Sequence, residues 1–191
     1  VIAQPDTETV LKVFIPNSRD IGIREDLRWM RSVVRDCCHR HPEGIRYHPG
    51  VNLPDKNSLF DLPLQNMMLY VYNQESEVGE KLVSLETKDD EQKKDRKQLR
   101  FLVSTGFVEF GSNGTRHQAP AIEYERANPT MIKPGDSLQT VAKSMYGAFQ
   151  ALRFLHAHNY MHRDIKPKNI TRTGELLDLQ YVTSSPWNIG Q

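Results

Sequence analysis

The sequence has few cysteines, no clear excess of charge and no long apolar run. Its only two cysteines, Cys37 and Cys38, are adjacent, which argues against a disulfide framework and favours an intracellular, cytoplasmic or nuclear, location. The formal net charge is +1, whereas nucleic-acid-binding domains usually carry a basic excess. No apolar run approaches the length of a membrane span. We therefore expect neither nucleic acid nor a membrane among its partners.

Two common site patterns are also missing. The 11 glycines form no G-x-G-x-x-G loop. The cluster of Cys37, Cys38, His39 and His41 lacks the spacing of a closed zinc site. Residues 1–4 have the composition of the middle of a strand, so we expect the chain to begin inside a domain.

Apolar periodicity and turn residues predict an α+β chain. The predicted elements are a strand at residues 10–15, a helix at 24–38, an irregular segment at 39–65, a helix at 75–85, a solvated charged segment at 86–100, a hairpin at 101–125 and a helix at 137–158. Asp136 is the expected N-cap of the last helix, and Asn159 its expected stop.

The strongest pattern follows that helix. Residues 162–169 have the sequence His-Arg-Asp-Ile-Lys-Pro-Lys-Asn, which resembles the catalytic loop of eukaryotic-type protein kinases, H-R-D-L-x-x-x-N. The resemblance identifies His162 and Arg163 as the first two members of the motif. It implies that Asp164 orients the acceptor hydroxyl and receives its proton, and that Asn169 binds magnesium. Lys166 resembles the lysine that kinases of the Ser/Thr type place near the transferred phosphate.

The resemblance also implies a second metal ligand in an Asp-Phe-Gly motif. Asp178 follows two leucines, as that position requires, but Leu179 and Gln180 stand where phenylalanine and glycine are expected. Asp178 follows Asn169 by nine residues, a shorter gap than the family usually shows. The alternative is that Asp178 caps the end of a strand.

Upstream, Lys12 resembles the strand lysine that pairs with the α- and β-phosphates of ATP. The alternative is an ordinary strand-edge lysine whose ammonium stays in water. Two glutamates compete as its partner, Glu25 in the helix at 24–38 and Glu75 at the start of the helix at 75–85. Glu75 is preferred, which makes residues 16–70 a large insertion.

Residues 122–126 fall where the family has its hinge, whose backbone binds adenine. Glu123 and Glu125 are the expected hinge residues, and Ile122 is expected to border the rear of the pocket.

The resemblance thus implies a two-lobed protein-kinase-like fold of the Ser/Thr type, truncated or divergent. Residues 1–126 would form the region that resembles the N-lobe, and residues 127–191 the start of an incomplete C-lobe. The implied function is phosphotransfer from ATP, with Mg²⁺, to Ser or Thr of a protein substrate. A pseudokinase that serves as an interaction module is the alternative, and a small-molecule kinase ranks last. Because the long helix would otherwise expose apolar surface, a second copy or another protein is expected to cover it.

Overall fold

The computed structural model describes residues 2–3, 8–14, 45–51, 62–112 and 115–184, without the side chains of 2–3, 62–68, 111–112 and 115–117. This part of the chain is α+β, as predicted. Its helices are α1 (Leu62–Val83), α2 (Asp90–Arg96) and α3 (Leu138–Ala157). Its strands are β1 (Ile2–Ala3), β2 (Thr9–Val13), β3 (Arg46–Pro49), β4 (Leu102–Ser112), β5 (Thr115–Glu125), β6 (Tyr160–Met161) and β7 (Thr183–Ser184). The helix predicted at 24–38, which includes Glu25, lies outside the described residues.

The chain divides into two compact units. The first comprises Val1–Ser76 and Leu102–Tyr124, and the second comprises Glu77–Phe101 and Glu125–Gln191. Residues 77–101 therefore lie in the second unit, although the sequence analysis placed all of 1–126 in one region. No helix in the described ranges is long and apolar enough to cross a membrane.

The first unit contains a five-stranded sheet in the order β1-β2-β5-β4-β3. Strands β4 and β5 form the predicted hairpin, with Val108 opposite Ala119 and Gly106 opposite Ala121. The sheet buries a small apolar cluster, whose buried members are Leu11, Val108, Phe110, Ala119 and Ala121. Ala119 on β5 lies opposite the larger Val108 on β4, and both side chains are buried.

Strand β3 was not predicted, since it lies within the segment expected to be irregular. It pairs with β4 in antiparallel register, with Tyr47 opposite Val108 and Pro49 opposite Gly106. A Cβ atom at Gly106 would lie 2.1 Å from the carbonyl oxygen of His48. The absence of a side chain at Gly106 therefore allows β3 to approach β4, a tertiary effect that four residues of local sequence do not reveal.

Helix α1 starts at Leu62, well before the predicted start at residue 75. Glu75 therefore lies in the interior of the helix and does not open it. The insertion drawn at 16–70 is also too long, because its last nine residues belong to α1. Pro63 follows the first helical residue, a position in the first turn where the missing N–H of proline costs no helical hydrogen bond.

The second unit is built on α3, whose predicted span of 137–158 is confirmed within one residue at each end. One face of α3 packs into the core of the unit, where Phe154 and Leu155 are fully buried with Leu99 and Leu176. The opposite face carries apolar side chains that are exposed within the described structure, namely Leu138, Tyr146 and Phe149. The partner expected to cover this surface remains a prediction.

The prediction that Asp136 caps α3 is wrong. Ser137 is the N-cap, and its hydroxyl accepts the Thr140 N–H at 3.1 Å. Gly135 has φ 88°, and the turn that it forms brings the Asp136 carboxylate back onto the Lys133 N–H. That carboxylate is also paired with Arg172, so it braces the segment after the predicted catalytic loop.

The charged segment at 86–100 contains the short helix α2, as its polar composition permits, but it is not wholly solvated. Asp95 is buried and accepts two hydrogen bonds from Arg153, at 2.6 and 2.8 Å. Leu99 is also buried, in the apolar core. This ion pair fixes α2 against α3. Asn159, the predicted stop, has φ 60°, a left-handed conformation that ends the helix.

Candidate active site

Residues 162–169 form a loop in the second unit, and both ends of the loop are held by neighbouring structure. Strand β6 enters the loop and pairs with β7, with Met161 opposite Thr183. A short 3₁₀ helix, Pro167–Asn169, closes it. Ile170, which follows, is buried in the core and pairs with Leu176. The polar side chains of the loop are therefore carried on a backbone fixed by neighbouring strands and apolar packing.

Asp164 is the centre of the hydrogen bonds within the loop. Its Oδ2 accepts the Lys166 ammonium at 2.5 Å and the Asn169 amide nitrogen at 3.0 Å. The hydrogen bond from Lys166 is the main cause that lowers the pKa of Asp164, and the same contact raises the pKa of Lys166. Asp164 is therefore ionised at neutral pH, the state required of a group that accepts a proton.

Asn169 is buried and bridges two parts of Asp164. Its amide nitrogen donates to the Asp164 carbonyl oxygen at 2.9 Å as well as to the carboxylate. Since the nitrogen is committed to Asp164, the amide oxygen is the atom left to act as a ligand. Both contacts depend on the five-residue spacing between Asp164 and Asn169.

His162 is almost fully buried and holds the loop against the segment that follows it. Its Nε2 lies 3.0 Å from the Leu177 carbonyl oxygen, and its Nδ1 accepts the Asp164 N–H at 3.3 Å. A carbonyl on one side and an N–H on the other require the neutral tautomer protonated on Nε2. Burial lowers the pKa of His162, which agrees with a neutral ring.

We predict that His162 makes the protein less stable in mild acid. Because its pKa in the folded protein lies below the unfolded value, the unfolded chain binds more protons as the pH falls below about 6.5. The stabilisation is thus complete above that pH and is lost as the pH falls. Urea unfolding between pH 8 and pH 5 should show a steeper loss of stability for the wild type than for His162→Gln. Parallel pH profiles for the two proteins would contradict this prediction.

Arg163, in the loop at 162–169, and Asp178, in the segment after it, have strained backbones. Their φ angles are 66° and 64°, and the only other non-glycine residue with positive φ in the described ranges is Asn159. Such strain is held in place by surrounding contacts and often marks functional sites. Here the Leu177 N–H donates to the Asn169 carbonyl oxygen at 2.9 Å, which keeps the residue before Asp178 beside the loop.

The negative charge of Asp178 acts on the loop. It adds to the effect of Asp164 in raising the pKa of Lys166, and it partly opposes the burial that lowers the pKa of His162. Leu179, which occupies the position expected for phenylalanine, is buried in the core. It begins a 3₁₀ helix, Leu179–Tyr181, in which Gln180 takes the position expected for glycine. The two residues that differ from the Asp-Phe-Gly pattern thus both lie in a short helix.

The described residues contain no group of three or more His, Cys, Asp or Glu side chains arranged to hold a metal ion. Asn169 and Asp178 instead offer one amide oxygen and one carboxylate. Mg²⁺ commonly binds to proteins through one or two carboxylates, with phosphate oxygens and water as its other ligands. Asn169 and Asp178 thus carry the types of oxygen donor that Mg²⁺ takes in proteins, and their role as its ligands remains a prediction.

In the first unit, Lys12 and Glu75 form an ion pair. The Lys12 ammonium lies 2.8 Å from Glu75 Oε1 and 2.9 Å from Oε2. The Glu75 side chain is only 1% exposed, against 23% for Lys12. The Lys12 ammonium also lies 5.6 Å from the centre of the Phe14 ring. Of the two glutamates that competed for Lys12, Glu75 has this contact, and Glu25 lies outside the described residues.

The predicted hinge is still part of strand β5, which ends at Glu125. Ile122 is fully buried. The Glu123 carboxylate accepts hydroxyl hydrogen bonds from Thr9 at 2.8 Å and Ser104 at 2.6 Å. The Glu125 N–H donates to the Phe101 carbonyl oxygen at 3.0 Å. An adenine contact through Glu125 would therefore use its carbonyl oxygen.

Sequence analysis missed one contact of the ion pair. The Tyr124 hydroxyl donates to Glu75 Oε1 at 2.6 Å. The kinase resemblance assigns no side-chain role to Tyr124, and no sequence pattern links a strand tyrosine to a glutamate 49 residues earlier. The alternation along β5, which places Tyr124 on the same side as Ile122, was the one signal available.

Comparison of the chain with protein-family models, curated proteins and solved structures returned no match. The resemblance to protein kinases therefore depends on the motif residues and on the contacts described above.

Proposed function

We propose that this chain carries out phosphotransfer from ATP to a serine or threonine hydroxyl of a protein substrate. In this proposal the first unit corresponds to the small lobe of a two-lobed kinase-like fold, and the second unit to the beginning of the large lobe. The observation that carries the proposal is the set of hydrogen bonds among Asp164, Lys166 and Asn169. It joins an ionised carboxylate, a cation and an amide at the spacing that the kinase motif requires.

The residues divide the chemistry between them. The oxygen of the serine or threonine hydroxyl forms a bond to the γ-phosphorus, and Asp164 accepts the proton of that hydroxyl. The bond between the γ-phosphorus and the bridging oxygen breaks, which releases ADP. Lys166, which lies beside Asp164, would neutralise charge on the phosphoryl group. Lys12 would bind the α- and β-phosphates. Magnesium, when bound through Asn169 and Asp178, would neutralise phosphate charge.

Nucleotide binding tests the role of Lys12. We expect Lys12→Met to raise the Kd for a non-hydrolysable ATP analogue with Mg²⁺ by at least about tenfold, because a charge-assisted contact to phosphate is lost. The measurement is calorimetric titration of the full-length protein. Lys81→Met is the matched control, since Lys81 forms an exposed ion pair with Glu77 on α1. Equal affinity of wild type and Lys12→Met would remove Lys12 from the site.

A pseudokinase is the second candidate. Leu179 and Gln180 favour it, since they replace the phenylalanine and glycine expected after the metal-binding aspartate. Such a protein would bind nucleotide, or a protein partner, without turnover. Binding of the analogue together with no transfer from ATP would favour this function over the enzyme.

A further inference from the structure

Three elements of the first unit meet at the buried carboxylate of Glu75. Helix α1 supplies Glu75, strand β2 supplies Lys12 and strand β5 supplies Tyr124. Glu75 Oε1 accepts both the Tyr124 hydroxyl at 2.6 Å and the Lys12 ammonium at 2.8 Å, and Oε2 accepts the ammonium at 2.9 Å. With 1% of its side chain exposed, Glu75 depends on these donors in place of water.

The two donors differ in stiffness. Lysine reaches Glu75 through a four-carbon stem with many rotamers, so the ammonium can follow the carboxylate wherever it turns. Tyrosine has two side-chain torsions and a rigid ring. Tyr124 also stands in the sheet, opposite Leu102 on β4. The hydroxyl is therefore the fixed point of the group, and the carboxylate is oriented by it.

The orientation of the carboxylate decides where the ammonium lies. An ammonium has three N–H donors. Two contacts join the Lys12 ammonium to Glu75, one to each carboxylate oxygen. If the carboxylate rotated away, the same ammonium would move with it or lose its partner. Lys12 thus links β2 to α1, and the hydrogen bond from Tyr124 on β5 fixes the pair in one arrangement.

We propose that Tyr124 is a positioning residue, whose hydroxyl holds Glu75 so that Lys12 is already in place for the phosphates of a nucleotide. This inference rests on the proposed function. Tyr124 itself need not touch the nucleotide, because it acts through Glu75.

Titration of the full-length protein with a non-hydrolysable ATP analogue and Mg²⁺ tests the proposal. Tyr124→Phe removes only the hydroxyl and should raise the Kd about tenfold, the effect of one hydrogen bond to a charged group. Tyr70→Phe is the control, since Tyr70 is 65% exposed on the same helix as Glu75. The double variant Lys12→Met/Tyr124→Phe should bind no more weakly than Lys12→Met alone. An unchanged Kd for Tyr124→Phe, or effects that multiply, would overturn the proposal.

A second measurement needs no nucleotide. Acetylation of Lys12 by an N-hydroxysuccinimide ester, followed by mass spectrometry, should be several-fold faster in Tyr124→Phe, since an ammonium whose carboxylate partner is no longer held in one orientation is more accessible to the reagent. The exposed Lys143 serves as the internal standard and should react equally in both proteins. Equal reactivity of Lys12 in both proteins would overturn the positioning role. Faster reactivity together with a wild type that binds no nucleotide would overturn only the proposed function.

Discussion

Asp164→Asn is expected to reduce the rate of phosphotransfer at least about a hundredfold while nucleotide binding is retained. General acid–base groups typically contribute about 10²- to 10⁴-fold. The amide is nearly isosteric with the carboxylate but cannot accept the proton of the acceptor hydroxyl. An interaction needed only in the transition state changes the rate and not the affinity for the bound substrate. The measurement is single-turnover transfer from labelled ATP to a Ser/Thr substrate by the full-length protein.

Asp90→Asn is the matched control for this variant. Asp90 is an exposed aspartate that pairs with Lys93 at 2.8 Å, so the substitution also breaks an aspartate–lysine pair. Exposed pairs of this kind contribute little to stability. We expect Asp90→Asn to transfer phosphate at the wild-type rate. Equal rates for Asp164→Asn and the wild type would show that Asp164 is not the catalytic base.

The largest expected effect on stability is at Gly147 on α3. A Cβ atom there would lie 2.7 Å from the Cα and 2.8 Å from the carbonyl oxygen of Gly174. Both atoms belong to backbone, so α3 and the segment around Gly174 would have to separate. We expect Gly147→Ala to lower the free energy of unfolding by roughly 3 kcal/mol, despite the better helix propensity of alanine. Urea unfolding followed by circular dichroism measures the change.

Gly135→Ala is the control that introduces backbone strain without a steric clash. Gly135 has φ 88°, but among the described residues no atom beyond its two chain neighbours would lie within 4 Å of a Cβ at this position. We expect Gly135→Ala to lower the free energy of unfolding by about 1 kcal/mol, because an alanine in the left-handed conformation is strained. If Gly147→Ala proved as stable as the wild type, α3 and the segment around Gly174 would not be packed as closely as described.

The elements with strong local signals were predicted well. The apolar stripe of α3 and the stop at Asn159 gave its span, and the alternation around the turn gave the β4–β5 hairpin. The fixed spacing from His162 to Asn169 also predicted residues whose side chains contact one another. These features share short-range causes, namely helical periodicity, strand alternation and a loop whose members bond to each other.

The features that escaped prediction depend on contacts between residues far apart in the sequence. Strand β3 exists because Gly106 on β4 leaves room for the His48 carbonyl group. Aspartate is a common N-cap residue, but the Asp136 carboxylate instead accepts a hydrogen bond from Arg172, 36 residues later in the chain. The hydrogen bond from Tyr124 to Glu75 likewise joins a strand to a helix, and no local pattern encodes such a pairing.

The most direct test of the central claim is whether the wild-type full-length protein moves the γ-phosphate of ATP onto a protein hydroxyl. Purified protein would be mixed with γ-labelled ATP and a mixture of Ser/Thr-containing substrates, with Mg²⁺ or with EDTA. The proposal predicts labelled phosphoserine or phosphothreonine only when Mg²⁺ is present. Nucleotide binding without any labelled product, in either condition, would contradict the proposed phosphotransfer and leave the pseudokinase function in its place.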